Sequence, residues 1–164
     1  MGLEGLKCLN TVGSADLQKL LVEAEEFHGH LGPFLVIGVR AGLIGLRELG
    51  VRRGVRCLTS TVMLEYRPPY SCVLDGIQVS TGCTFGNKQL KMRDATSIVI
   101  AFENDGSKKI TLEVNPQVLS KLRRMLPERR DQEGLHRIAS LVASMDESDL
   151  FLINDGVEES GPVS

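Results

Sequence analysis

The chain has 164 residues, with 19 Lys and Arg against 21 Asp and Glu and a formal net charge of -2. That length suits one domain, since domains run to about 100–200 residues, and 42% hydrophobic with 24% charged residues is ordinary globular usage, which excludes a disordered or collagen-like chain. The balanced charge and 4% aromatics without Trp give no footing for nucleic-acid binding, and the one excess is glycine, with 17 residues.

The elements read as follows in chain order. Residues 1–13 read as a loose leader, without the apolar core of a signal peptide. Ser14 is suited to capping a helix in which Leu17, Leu20, Leu21, Ala24 and Phe27 recur at helical spacing, up to His28-Gly29-His30. A second helix starts at Gly32-Pro33, where proline fits the first turn, and stops at Gly50. Its apolar run is closed by Arg40, far short of the roughly 20 residues that cross a bilayer. Gly38, Gly42 and Gly45 lie inside it. Interior glycines cost roughly 1 kcal/mol each against alanine, so Gly38 and Gly42, four apart on one face, imply close approach of another backbone. Arg40 and Arg47 mark the wet edge of this long, central, glycine-rich helix.

Residues 55–66 read as a strand, ended by Arg67-Pro68-Pro69-Tyr70. Ser71 is placed to cap a short helix over 72–79, and 80–90 is turn-rich. Residues 95–103 and 109–114 read as strands joined by an Asn104-Asp105-Gly106-Ser107 hairpin turn. Asn115-Pro116 opens a helix with Val118, Leu119, Leu122 and Met125 on one face, broken by Pro127. A helix over 131–143 uses Leu135, Ile138, Ala139 and Val142. Residues 149–154 form a last strand, and 158–164 fray. Helices, then antiparallel strands, then helices give an α+β fold, with 14–157 as its single core domain.

The polar residues that look out of place gather in two segments. One holds His28, Gly29 and His30. Residues i and i+2 point apart on a helix but to one side of extended chain, so a turn at Gly29 lets both imidazoles converge on one metal. The alternatives are a capped helix end or two solvated rings. The other segment holds Cys72, Asp75 and, further on, Cys83. Cys72 and Asp75 share a helix face, and a thiol at a helix N-terminus is shifted toward thiolate, which is both metal ligand and nucleophile. The alternatives are a buried apolar thiol and an aspartate that only favours the helix start. Together the donors form a set that zinc accepts. Cys8, Cys57 and His136 read as structural, and the arginines at 123, 124, 129 and 130 as a solvated face. Disulfides are not expected, and no CxxC, Walker or GxGxxG pattern is present.

The stretches FHGHLGPFLVIGVRAG and CVLDGIQVSTGCTFGN, with the later hairpin and the DLFLI end, resemble the E-subunit family of formylmethanofuran dehydrogenase over roughly residues 15–157. The resemblance implies an α+β core, often dimeric, and a site carrying His28, His30, Cys72, Asp75, Gln78, Cys83 and Thr84. It also implies a link to the molybdenum or tungsten enzyme that reduces carbon dioxide to a formyl group on methanofuran at the start of methanogenesis, hence an archaeal setting, while the default compartment expected without a signal peptide or spanning segment is the cytoplasm. Two departures stand out. Many members carry Cys and Gly around the proline where this chain has Gly32 and Phe34, and many append a C-terminal zinc finger, whereas here no cysteine follows Cys83.

The leading expectation is a metal-binding subunit or accessory protein of that enzyme. A divalent transition metal, zinc foremost, would be held by His28, His30, Cys72 and Cys83. The alternatives are an enzyme with Cys72 as nucleophile, His28 moving protons and Asp75 orienting it, or a structural module pairing with a second copy or with dehydrogenase subunits. No nucleic-acid or membrane partner is expected.

Overall fold

The computed structural model describes residues 14–126 and 131–156. The leader, the Ser14 side chain, the break at Pro127, the arginines at 129 and 130 and the tail from 157 lie outside the described residues. The order is α1 (Ser14–His28), α2 (Pro33–Leu49), β1 (Leu58–Leu64), α3 (Cys72–Thr81), β2 (Leu90–Asp94), β3 (Val99–Asn104), β4 (Lys108–Val114), α4 (Pro116–Met125), α5 (Gln132–Ser144), α6 (Glu147–Leu150) and β5 (Phe151–Gly156). It is the α+β arrangement anticipated from the sequence. Among the described residues no helix is long and apolar enough to cross a membrane.

Helix α2 is bounded as its sequence dictates. Gly32 stands extended before Pro33. At the other end Gly50 takes φ 64°, and the N–H groups of Gly50 and Val51 donate to Arg47 O (3.2 Å) and Leu46 O (3.0 Å). This left-handed cap satisfies the last carbonyls of the helix. Thirteen of its residues are buried, and α1, α3 and α5 all pack against it. Phe27, placed on the apolar face of α1 by spacing, is instead 61% exposed.

The glycines set how closely these helices meet. A Cβ on Gly38 would collide with the Val73 carbonyl oxygen and come within 2.9 Å of Gly76 Cα. A Cβ on Gly76 would lie 2.7 Å from Val39 N and 2.8 Å from Gly38 Cα. The backbones of α2 and α3 therefore touch. Gly42 meets Ser80, with Ser80 Cβ at 2.8 Å, and Gly45 meets the Phe102 ring at 2.5 Å. Gly76 lies inside α3 as half of this contact.

The sheet has the order β2-β1-β3-β4-β5. Three pairings are antiparallel, and β3 and β4 join through Asp105 (φ 43°) and Gly106 (φ 72°), with Ser107 N–H donating to Asn104 O at 2.8 Å. Two central residues with positive φ match the twist of a hairpin, which is why Asp-Gly serves there. The fourth pairing corrects the expected antiparallel sheet: β2 lies parallel to β1, with Ser60 opposite Leu90 and Leu64 opposite Asp94. A parallel pair needs a long crossover, and α3 supplies it. Strand β2 is an edge strand in which only Leu90 is buried, so it lacks the alternation that betrays a half-buried strand. Strand β1 is shorter than 55–66 and leaves Tyr66 exposed. Ser71 makes no side-chain cap bond, and α3 runs on to Thr81. The segment 149–154 begins in α6 before becoming β5.

Arg40 does not mark a wet edge. It is half-buried, and its guanidinium donates to Val142 O at 2.8 Å and to Met145 O, closing the C-terminal end of α5 onto α2. Burial lowers its pKa, and the carboxylates of Glu147 and Asp146 oppose that shift. A hydrogen bond from a charged donor contributes roughly 1.5–3 kcal/mol, and the positive charge also complements the helix dipole. Arg40→Met is thus expected to lose about 2 kcal/mol in urea unfolding, with Arg40→Lys recovering part. An unchanged midpoint in Arg40→Met would mean that this cap does not hold α5 to α2.

Candidate functional site

The site forms where the end of α1, the start of α2 and the start of α3 meet. Helix α1 ends at His28, and Gly29 at φ 101° turns the chain while its N–H still donates to Glu25 O at 2.7 Å. This turn brings the two imidazoles together, with ring centroids 4.5 Å apart and planes tilted by 46°. Cys72 is the first residue of α3 and Asp75 stands one turn further on.

Packing of α1 on α3 places His28 Nδ1 2.5 Å from Asp75 Oδ2. Their side chains are 13% and 33% exposed. An ionised carboxylate only accepts hydrogen bonds, so Nδ1 carries the hydrogen, and whenever the ring is neutral Nε2 keeps its lone pair. That Nε2 is buried and has no hydrogen-bond partner among the described residues. Gln78 Nε2 donates to the other oxygen of Asp75 at 3.3 Å, so both carboxylate oxygens are engaged. The aspartate fixes the ring's tautomer and orientation and stabilises it when protonated.

His28, His30 and Cys72 line one cleft of about 200 Å³. Its remaining wall is apolar and includes Phe34, Pro69, Leu126 and Leu135, with Gly32 at one side. Leu126, just past α4, and Leu135 of α5 carry no chemical signature in the sequence, being ordinary leucines. His136, read as structural, is exposed on α5 and shares a smaller polar hollow with Glu25 on the other side of His30.

The second motif does not stay together. Cys83 follows the far end of α3, about 15 Å from the start of a helix of this length. It is fully buried, and its thiol donates to Leu58 O at 3.6 Å. Thr84 and Asn87 brace a loop: Thr84 N–H donates to Asn87 Oδ1 at 3.0 Å and Asn87 N–H donates to Thr84 Oγ1 at 3.1 Å. The structure thus gathers His28, His30, Cys72, Asp75 and Gln78, and leaves Cys83 and Thr84 elsewhere. Cys57, Cys72 and Cys83 are thiols and not disulfides, while Cys8 lies outside the described residues.

The donors fit a resident metal only in part. A carboxylate-backed imidazole with a bare, buried Nε2 is the arrangement metal-ligating histidines adopt. Yet among the described residues no group of three or more His, Cys, Asp or Glu is placed to hold an ion. The donors match a transition metal in kind but not in number, and the closed four-ligand centre expected from the sequence does not assemble.

Comparison with known proteins places the chain. It is 42% identical over 74 residues to a probable S-adenosyl-L-methionine-binding protein of Archaeoglobus fulgidus, a match covering 45% of this chain and 20% of that protein. The chain therefore spans only about a fifth of that relative's length. The crystal structure of a tungsten formylmethanofuran dehydrogenase FmdE-like protein from Syntrophus aciditrophicus has the same fold. The TM-score is 0.57 at 16% identity, covering 90% of this chain and 77% of that one. Residues 27–152, which hold both motifs, strands β1 to β4 and the first two residues of β5, match the family described as FmdE, molybdenum formylmethanofuran dehydrogenase operon, and the chain belongs to that family.

Proposed function

We propose that this chain is an accessory protein or subunit serving formylmethanofuran dehydrogenase, and that its cleft handles a proton on a small molecule. The family supports the first half. The second half is carried by one observation, the Asp75 carboxylate 2.5 Å behind His28 with Nε2 buried and unpartnered. In this reading His28 takes a proton at Nε2 while Asp75 holds Nδ1–H and balances the charge of the imidazolium. Cys72 lines the same cleft and is its candidate nucleophile.

The test is reconstitution. Purified chain is added to dehydrogenase subunits, and complex formation and carbon dioxide reduction are followed for wild type and His28→Gln. Wild type is expected to join the complex and raise turnover, and the variant to join without raising it. Failure of the wild type to bind, or equal stimulation by the variant, would sink the reading.

A second reading is favoured by the carboxylate-backed imidazole: His28 and one of its two cleft neighbours, His30 or Cys72, would provide the protein donors for a zinc ion. Elemental analysis of protein purified without chelator tests it. One zinc per chain, lost in His28→Ala and in one of Cys72→Ser and His30→Ala, supports it, and metal-free wild type overturns it. Pairing with a second copy is also proposed. Its support is edge strand β5, where Leu152 and Ile153 are 44% and 39% exposed, and sedimentation of wild type against Leu152→Lys tests it.

A further inference from the structure

The cleft's size and lining constrain what it can take. About 200 Å³ is well below the roughly 300–1,000 Å³ of sites for drug-sized ligands, and somewhat above an apolar cavity of about 150 Å³ that accepts benzene. A single ring with a short substituent fits. Gly32 helps set this size. It lies on the cleft wall with extended backbone (φ -130°, ψ 166°), which any residue adopts, and a Cβ there would meet only the His30 ring, at 3.8 Å. A larger side chain at this position would therefore be tolerated by the backbone and would project into the cleft region.

The wall is apolar and firmly packed. Phe34 lines it, and its ring is held edge-on to Tyr70 at 5.2 Å. Tyr70 is itself fixed, with Arg123 Nε donating to its hydroxyl at 2.9 Å and the Arg67 guanidinium 5.4 Å from its ring. With only 1% of Phe34 exposed, this part of the wall is a closed apolar boundary rather than a face to stack on.

The charges oppose an ion. Among the described residues no Lys, Arg, Asp or Glu lines the cleft, and Asp75 is already engaged by His28 and Gln78. A charged ligand would find no permanently charged side chain among the described residues to offset its lost hydration. His28 Nε2, by contrast, is an acceptor with no donor among the described residues.

We propose that the cleft binds a small, uncharged molecule carrying one hydrogen-bond donor, which His28 Nε2 accepts, in a space kept open by Gly32. This rests on His28 being the acceptor of the cleft, the same group that the proton-handling reading uses.

Three fragments of similar size test it, followed by nuclear magnetic resonance titration of the full chain at pH 8: benzyl alcohol, toluene and benzoate. Benzyl alcohol is expected to shift the resonances of His28, Phe34 and Leu135. Toluene should bind at least three-fold more weakly, and benzoate at least ten-fold more weakly. Gly32→Val should abolish binding of all three while the amide spectrum stays folded. His28→Ala should keep the ring but lose the preference for the hydroxyl. Benzoate binding as tightly as benzyl alcohol, shifts that map away from the cleft, or a hydroxyl preference that survives His28→Ala would each overturn the proposal. The titration involves no dehydrogenase. Failure to stimulate that enzyme therefore bears on the proton-handling reading alone, and failure of the fragments bears on the ligand class alone.

Discussion

Gly38→Ala is expected to lose about 3 kcal/mol of stability, although alanine is the better helix former by roughly 1 kcal/mol. The added methyl has nowhere to go. It would overlap the Val73 carbonyl oxygen and lie 2.9 Å from Gly76 Cα, and both are backbone atoms that no rotamer change can move. Relief requires α2 and α3 to separate along their whole contact, which loosens the most buried surface of the chain. Native domains are stable by only about 5–15 kcal/mol, so this is a large fraction. Gly76→Ala should behave alike from the other side. Gly50→Ala is the contrast: nothing lies within 4 Å of a Cβ there, and its cost of about 1 kcal/mol comes from the left-handed φ alone. Urea unfolding of the three variants measures this, and a Gly38→Ala midpoint no lower than that of Gly50→Ala would show that the helices can part cheaply.

Asp75→Asn is expected to change the site far more than the fold. The aspartate is a third exposed, and its removal leaves α1 packed on α3. The His28 ring, however, loses the carboxylate that holds hydrogen on Nδ1. Ring nitrogen shifts should then report a mixture of tautomers in place of one, and any process that uses Nε2 should weaken by about 10–100-fold, the usual cost of losing such a partner. Gln78→Leu, which frees one oxygen of the same carboxylate, should produce a smaller change in the same direction. A ring that keeps its tautomer in Asp75→Asn would mean that the 2.5 Å contact does not govern His28.

The helices and the hairpin were readable because their signals are local. Pro33 and Gly50 bracket α2, Asp105-Gly106 makes a turn with the twist of its strands, and Leu135, Ile138, Ala139 and Val142 recur at one helix face and are buried. The failures are non-local. Strand β2 exists only because β1 offers it an edge, and its own residues barely alternate. Arg40 looks solvated by composition, since nothing nearby in sequence shows that the end of α5 will arrive over it. At the site, the convergence of His28 and His30 follows from Gly29, and Asp75 is legible as a nearby acid. Cys83 misleads because it stands close after Cys72 in sequence, yet a helix lies between them. The leucines that close the cleft come from α5 and the end of α4 and carry no mark at all.

The glycine contact between α2 and α3 has a consequence for when the site exists. Helix α3 carries Cys72 and Asp75, is threaded between β1 and β2 in the chain, and touches the backbone of the most buried helix. Its inner amides, around Gly76 and Ile77, should therefore exchange with solvent only when the whole molecule opens, as expected of the most stable cooperative unit of a protein. A site built on such an element is complete before any ligand arrives. Little ordering remains to be done on binding, and what is saved appears as affinity.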